Sequence, residues 1–200
     1  LTAGRTSAEQ ALFPYYTDDK VTENSENTGA KTIFLVTSKK QKKIWEPFSE
    51  RYRGVYRIER NIYKNISGTA LLFEELNHSL QLAYRYAWRT SDLFGFVKTS
   101  WLKNFSKSKC QIELLDGIQN ILPANVTSQT QNTFSPLLDA YKRSELDLET
   151  GLAILALNST LTDLAEPSES LLGTVTFQLG LKPAHYLLSS AQLDSFRAGE

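Results

Sequence analysis

A mainly β fold, an antiparallel β-sandwich with one or two short helices, is what this sequence predicts, and three observations predict it. Strand-like runs of six to ten residues follow one another from Gly54 to Leu115, each closed by a short polar turn. The cleanest, Leu80–Trp88, alternates over nine residues: Leu80, Leu82, Tyr84, Tyr86 and Trp88 share one face, while Gln81, Ala83, Arg85, Ala87 and Arg89 share the other. Helical spacing, by contrast, stands out mainly near Phe134.

Taken in order, residues 1–30 are polar and weakly patterned, and they predict an irregular arm anchored by Phe13, Tyr15 and Tyr16. Residues 31–200 then read as a single sandwich domain. Lys31–Thr37 is a compact β-branched and aromatic run, a strand. Lys39–Lys43 holds four lysines in five positions and reads as a solvated turn. A phosphate-binding patch there is the weaker account, because no aromatic residue interleaves the lysines.

Val55–Lys64 is the next strand and ends at the turn signal Asn65-Ile-Ser-Gly68. Leu71–Leu76 follows and closes at Asn77-His78. After Leu80–Trp88, Thr90-Ser-Asp92 turns the chain into Phe94–Leu102. A further turn over Asn104–Lys109 leads to Cys110–Asp116, which reads as the fifth strand of one antiparallel meander.

Phe134, Leu137, Leu138 and Tyr141 occupy i, i+3, i+4 and i+7, which predicts a short helix. Ser135 is its expected cap and Pro136 its first helical residue, with the glutamine-rich stretch upstream as an earlier start and an end near Leu146. Gly151–Thr160 and Leu171–Leu179 then read as two long strands separated by the Glu166–Ser170 loop. A last helix over Ala191–Arg197 would be capped by Ser189 or Ser190.

Composition excludes more than it selects. The chain has 200 residues, with 22 basic residues against 22 acidic ones, so it lacks the electrostatic footprint of a nucleic-acid binder. No apolar run approaches the ~20 residues of a membrane helix, and neither nucleic acid nor membrane is expected as a partner. One cysteine, Cys110, rules out an internal disulfide. Its place on a face with Ile112 and Leu114 favours a small buried hydrophobe over a nucleophilic thiol. The chain begins at Leu1 and has no methionine, which reads as a piece cut from something longer. The compartment stays open.

Candidate chemistry is sparse. The two histidines, His78 and His185, both follow turn signals, and an exposed loop histidine is the plainer account of each. No dinucleotide fingerprint, phosphate loop, serine elbow or zinc-helix motif occurs, and no cofactor is expected. Paired carboxylates could serve a glycosidase, but Glu74 and Glu75 are adjacent and on a strand face opposite sides. Asp163, Glu166 and Glu169 cluster in a loop, where like charges are usually just solvated.

Of three tryptophans, Trp88 continues an apolar strand face, and Trp101 falls in step with Val97 and Thr99. Trp45 has no periodicity committing it inward, so it is the tryptophan expected to meet a ligand or partner. The candidate ligand-binding residues are therefore Trp45, Glu74 and His78; no catalytic or metal-ligating residue is assigned.

Three phrases carry a family resemblance: Phe73–Thr99, Glu113–Pro123, and the pair Ala165–Leu172 and Tyr186–Arg197. Together they resemble the N-terminal region of large bacterial proteins, typically from Bacteroidetes, described as cellobiose-phosphorylase-like or glycoside-hydrolase-like. The resemblance implies a galactose-mutarotase-like β-supersandwich that packs on a catalytic (α/α)6 barrel and often helps form a homodimer. The catalytic carboxylate of such proteins sits in the barrel, so no catalytic residue carries over to this chain. A full supersandwich has more strands than can be counted here. The reading that follows is a non-catalytic sandwich domain of a larger carbohydrate-active enzyme. Its alternative is a domain that itself holds a glycan on exposed aromatics.

Overall fold

The β-branched run at the front of the chain forms β1 (Gly29–Ser38), and β2 (Gln41–Trp45) returns beside it, Phe34 opposite Trp45. A computed structural model describes residues 26, 29–38, 41–119, 121–161, 168–183 and 185–200. The expected arm with Phe13, Tyr15 and Tyr16, together with Lys39, Lys40, Asp163 and Glu166, lies outside the described residues. Gln41–Lys43 are paired strand rather than turn, because the exposed edge of β1 accepts them and their charged ends stay in water.

Four consecutive strands then form a meander: β3 (Ile58–Lys64), β4 (Ala70–Asn77), β5 (Leu82–Ser91) and β6 (Gly95–Asn104), in the order β3-β4-β5-β6. The fifth strand, β7 (Gln111–Gln119), does not continue this sheet as expected from the sequence. It crosses to β1 and completes the three-stranded sheet β2-β1-β7. The reason is tertiary: Ile112 falls opposite Val36 and Asp116 opposite Thr32, so β7 extends the inward face of β1.

The two sheets face each other. Phe34, Val36 and Trp45 from one form a single buried cluster with Phe73, Leu82, Tyr84, Tyr86 and Trp88 from the other. Phe34 meets Tyr84 edge-on at 5.3 Å, and Phe73 stacks on Tyr86 at 4.8 Å. Phe48, in the β2–β3 connection, adopts a left-handed φ of 64° and sends its ring edge-on to Tyr86. Each buried aromatic of this size contributes roughly 2–3 kcal/mol of transfer free energy.

Among the described residues, nothing covers this interior along one flank. β6 and β7 are free edges of their sheets among the described residues. Phe96, Leu102 and Leu114 belong to the inward faces by register, yet they are 41%, 38% and 39% exposed.

The second half adds α1 (Ser128–Tyr141) and the sheet β12-β9-β8, made of β8 (Lys142–Asp147), β9 (Leu152–Leu157) and β12 (Gly173–Thr176). β10 (Ser159–Thr160) and β11 (Ser168–Glu169) form a minimal pair. Leu122, Val126, Leu138 and Leu157 make a second buried cluster. α1 starts upstream, with Thr127 as the cap, and kinks at Phe134, two residues before Pro136. The Ser135 side chain, expected as the cap, is outside the described residues. The helix ends at Tyr141 rather than near Leu146, because Lys142–Asp147 pair with the apolar strand β9 instead. The strands expected over Gly151–Thr160 and Leu171–Leu179 are shorter than the apolar runs suggested, the first breaking at Asn158 and the second confined to Gly173–Thr176. A 3-10 turn capped by Ser189 leads into α2 (Leu193–Ala198).

Candidate functional site

Glu74 and Glu75 face opposite sides of β4, as adjacent strand residues must, and each is closed by donors. Glu75 points between the sheets, 1% exposed. It accepts from Trp45 Nε1 at 2.7 Å, from the Phe48 backbone N–H at 2.7 Å and from Arg60 Nε at 2.8 Å. Trp45 is therefore a core residue, 1% exposed, and offers no ring face to a ligand. The sequence expectation for Trp45 is corrected by pairing: Phe34 opposite it aims the indole inward, and Glu75 takes its only polar atom.

Glu74 points to the outer face of the four-stranded sheet and is 3% exposed. Register lines up Asn61, Glu74, Arg85 and Trp101 across β3, β4, β5 and β6. Asn61 Nδ2 donates to Glu74 at 3.2 Å, the Tyr63 hydroxyl at 2.9 Å and Arg85 Nε at 2.5 Å. Burial alone would raise the Glu74 carboxyl, but donation from Arg85, Tyr63 and Asn61 outweighs it and holds the group below the ordinary value. The same bond raises the Tyr63 hydroxyl, which stays protonated as the donor.

His78 ends on the same face. Asn77, fully buried, accepts the Leu80 N–H at 2.9 Å and closes the turn that carries His78. His78 Nε2 lies 3.5 Å from Glu59, and Glu59 accepts from Asn61 at 3.0 Å. Glu74 and His78 are thus joined through Glu59 and Asn61, while Trp45 stands on the other side of the sheet. The exposed aromatic rings on this face are Tyr63, which bonds Glu74, at 50%, and Trp101, opposite Arg85, at 45%. Trp101 was placed by its step with Val97 and Thr99, and that face is the outer one.

A second polar group lies between the sheets. Asp116 of β7 accepts from Lys98 at 2.6 Å, from Thr32 at 2.5 Å and from Ser100 at 3.1 Å, with Tyr84 at 3.3 Å. Burial lowers the Lys98 ammonium, and Asp116 opposes that shift without cancelling it. A cavity of about 20 Å³, lined in part by Thr32, Ser49, Tyr84 and Tyr86, has room for roughly one water molecule, not a substrate.

The remaining sequence candidates stay apart from these groups. Cys110 is half-buried against the sandwich core, just ahead of β7. His185 is exposed, and Glu169 lies exposed in β11. Among the described residues no three His, Cys, Asp or Glu side chains converge on a point where a metal could sit. No helix of the described residues is long and apolar enough to cross a membrane. No protein-family model matches the chain, and no curated protein matches it.

Asn61, Tyr63 and Arg85 were not singled out by sequence, because they come from strands that only the register brings side by side. The signal that could have found Arg85 was the alternation of β5 itself, which set it on the face opposite Tyr84.

Proposed function

We propose that this chain serves as a non-catalytic β-sandwich domain of a larger carbohydrate-active enzyme, of the glycoside phosphorylase or hydrolase type. The uncovered flank supports the docking role. Phe96, Leu102 and Leu114 face inward yet meet solvent, as side chains do where a neighbouring domain completes the packing. Further apolar surface lies at Leu93, Phe94, Phe177 and Leu179, where the Phe94 and Phe177 rings meet at 5.8 Å. The carboxylates support the non-catalytic part: Glu74 and Glu75 lie on opposite faces, each saturated by structural donors. The resemblance of the Phe73–Thr99 and Glu113–Pro123 phrases supplies the enzyme class.

Deuterium exchange tests this reading by comparing the chain alone with a longer polypeptide that carries the adjoining sequence. Protection at residues 93–102, 112–116 and 177–181 in the longer protein is the expected result. Equal exchange there in both proteins overturns it.

A further inference from the structure

We infer that the outer face of the β3-β4-β5-β6 sheet binds a short neutral oligosaccharide, laid across the strands between Tyr63 and Trp101. The docking reading concerns the inward faces and the β6–β7 flank; this site uses the other side of the same sheet and stands independently of it.

Three observations carry the inference. The first is the pair of platforms. Tyr63 on β3 and Trp101 on β6 are both about half exposed and lie on one sheet face. Aromatic faces in water stack well against the C–H faces of sugar rings, because both are apolar sheets of similar size. The backbones of β3 and β6 are separated by three strand spacings, about 14 Å, which suits the two rings to different units of one chain rather than to one sugar.

The second is a donor already set in place. Arg85 is half exposed, and Glu74 anchors it through Nε and Nη2. The carboxylate is itself locked by Asn61 and Tyr63, so the guanidinium is held before any ligand arrives. Its remaining N–H groups can donate to ring hydroxyls while Trp101, opposite it in register, packs on the ring.

The third is charge. Glu74 and Arg85 neutralise each other at the centre of the row, and around them register places Arg89 and Lys103 on this face against Glu59, which leaves one net positive charge over the four strands. Asn61 and the Glu59–His78 contact extend a hydrogen-bonding margin away from the aromatics. Stacking platforms on either side of a paired, hydrogen-bonding centre match a polyhydroxylated ligand, and comparison with tetragalacturonate decides whether the flanking Arg89 and Lys103 favour an anionic one.

Titration calorimetry of the chain with cellotetraose, glucose and tetragalacturonate tests the inference. Cellotetraose is expected to bind at least about tenfold more tightly than glucose and than tetragalacturonate. Trp101→Ala and Tyr63→Ala should each weaken cellotetraose binding by about tenfold, the equivalent of ~1.4 kcal/mol. Trp101→Phe should retain an intermediate affinity, and quenching of tryptophan emission by cellotetraose gives a second readout in the unmodified protein. Absence of heat and of quenching with cellotetraose overturns the inference. So does binding that both alanine variants leave unchanged while their melting temperatures match the parent, or tighter binding of tetragalacturonate. None of these results bears on exchange protection at the β6–β7 flank, so the two proposals fail separately.

Discussion

Trp45 on β2 donates its indole N–H to Glu75 on β4 at 2.7 Å, a bond that runs from one sheet of the sandwich to the other. Arg60 and the Phe48 backbone complete the carboxylate's shell, and Arg60 carries on to Glu50 at 2.6 Å and to the Ser49 carbonyl at 2.9 Å. One buried carboxylate therefore ties β2, the connection after it, β3 and β4 together. Glu75→Gln keeps the shape and removes the charge, leaving the Arg60 guanidinium and two N–H groups with a weaker acceptor. The expected loss is about 2–3 kcal/mol of unfolding free energy. Trp45→Phe removes one donor and leaves a small cavity in place of the larger indole, and should cost about 2–3 kcal/mol. Denaturant unfolding checks both, and stabilities equal to the parent's would remove the cross-sheet role.

Lys98 and Asp116 make the second cross-sheet pair, with side chains 7% and 28% exposed. Asp116→Asn leaves a buried ammonium without its counter-charge and should destabilise by about 2–3 kcal/mol. Lys98→Met leaves Asp116 with Thr32, Ser100, Tyr84 and partial solvent access, so its cost should be clearly smaller. The order of the two variants in urea unfolding is the measurement, and the reverse order would contradict this account.

The dependence of stability on pH has two arms with opposite signs. Burial tends to raise Glu26, but donation from Lys31 and Ser49 outweighs it and brings the carboxyl from 4.5 down to about 2. A lowered folded value means the contribution is full above 4.5 and is lost as pH falls toward 2. Burial and the Asp116 charge push Tyr84 and Tyr86 above their ordinary value of 10. A raised folded value means their contribution is full below 10 and declines at more alkaline pH. Lys98, lowered by burial, works against the alkaline loss, but as one group against several raised tyrosines. Melting temperatures should therefore drop on both sides. Glu26→Gln should flatten the acid limb, and an unchanged limb would contradict the assignment.

Gly151 and Gly68 share a left-handed φ of 72° but differ in what surrounds them. A methyl at Gly68 would meet nothing closer than Lys64 Cε at 3.7 Å, so Gly68→Ala should cost only the backbone term, about 1 kcal/mol. A methyl at Gly151 would lie 2.5 Å from the Tyr186 hydroxyl, so Gly151→Ala should cost more, and Tyr186→Ala should restore the difference. Thermal unfolding of the three variants decides whether the segment around Tyr186 packs on the β8–β9 turn.

Much of the first sheet was legible in the residues. β5 read directly, because Leu82, Tyr84, Tyr86 and Trp88 alternate with Ala83, Arg85 and Ala87, and a half-buried strand needs that period. β7 did not, because nothing local distinguishes a strand that continues a meander from one that crosses to another sheet. Its partner, β1, lies more than seventy residues earlier in the chain. Trp45 and Trp101 reverse the order of exposure that their sequence context predicts, for a related reason. β2 has five residues, too few to show a period, and only Phe34 opposite it sets the direction of the indole.

The candidate site was half visible. Glu74 and His78 were chosen from sequence, and the structure does bring them to one face, through Glu59 and Asn61. Tyr63, Arg85 and Trp101 joined them only through register.

The residues alone were enough to show that this chain is mainly β, that its strands turn at Asn65-Ile-Ser-Gly68, and which side chains of β5 face inward, since alternation and turn chemistry are local properties. The turn expected at Thr90-Ser-Asp92 falls instead at Asp92–Phe94, because Thr90 and Ser91 stay paired with Phe96 and Gly95. The rest depended on tertiary structure: that β7 crosses to β1, that Trp45 is buried on Glu75, and that Arg85 meets Glu74 on an outer face that Trp101 shares. Those outcomes depend on which strand lies beside which. Strand pairing is chosen by the fit of whole faces, a sum over distant residues that no short window contains.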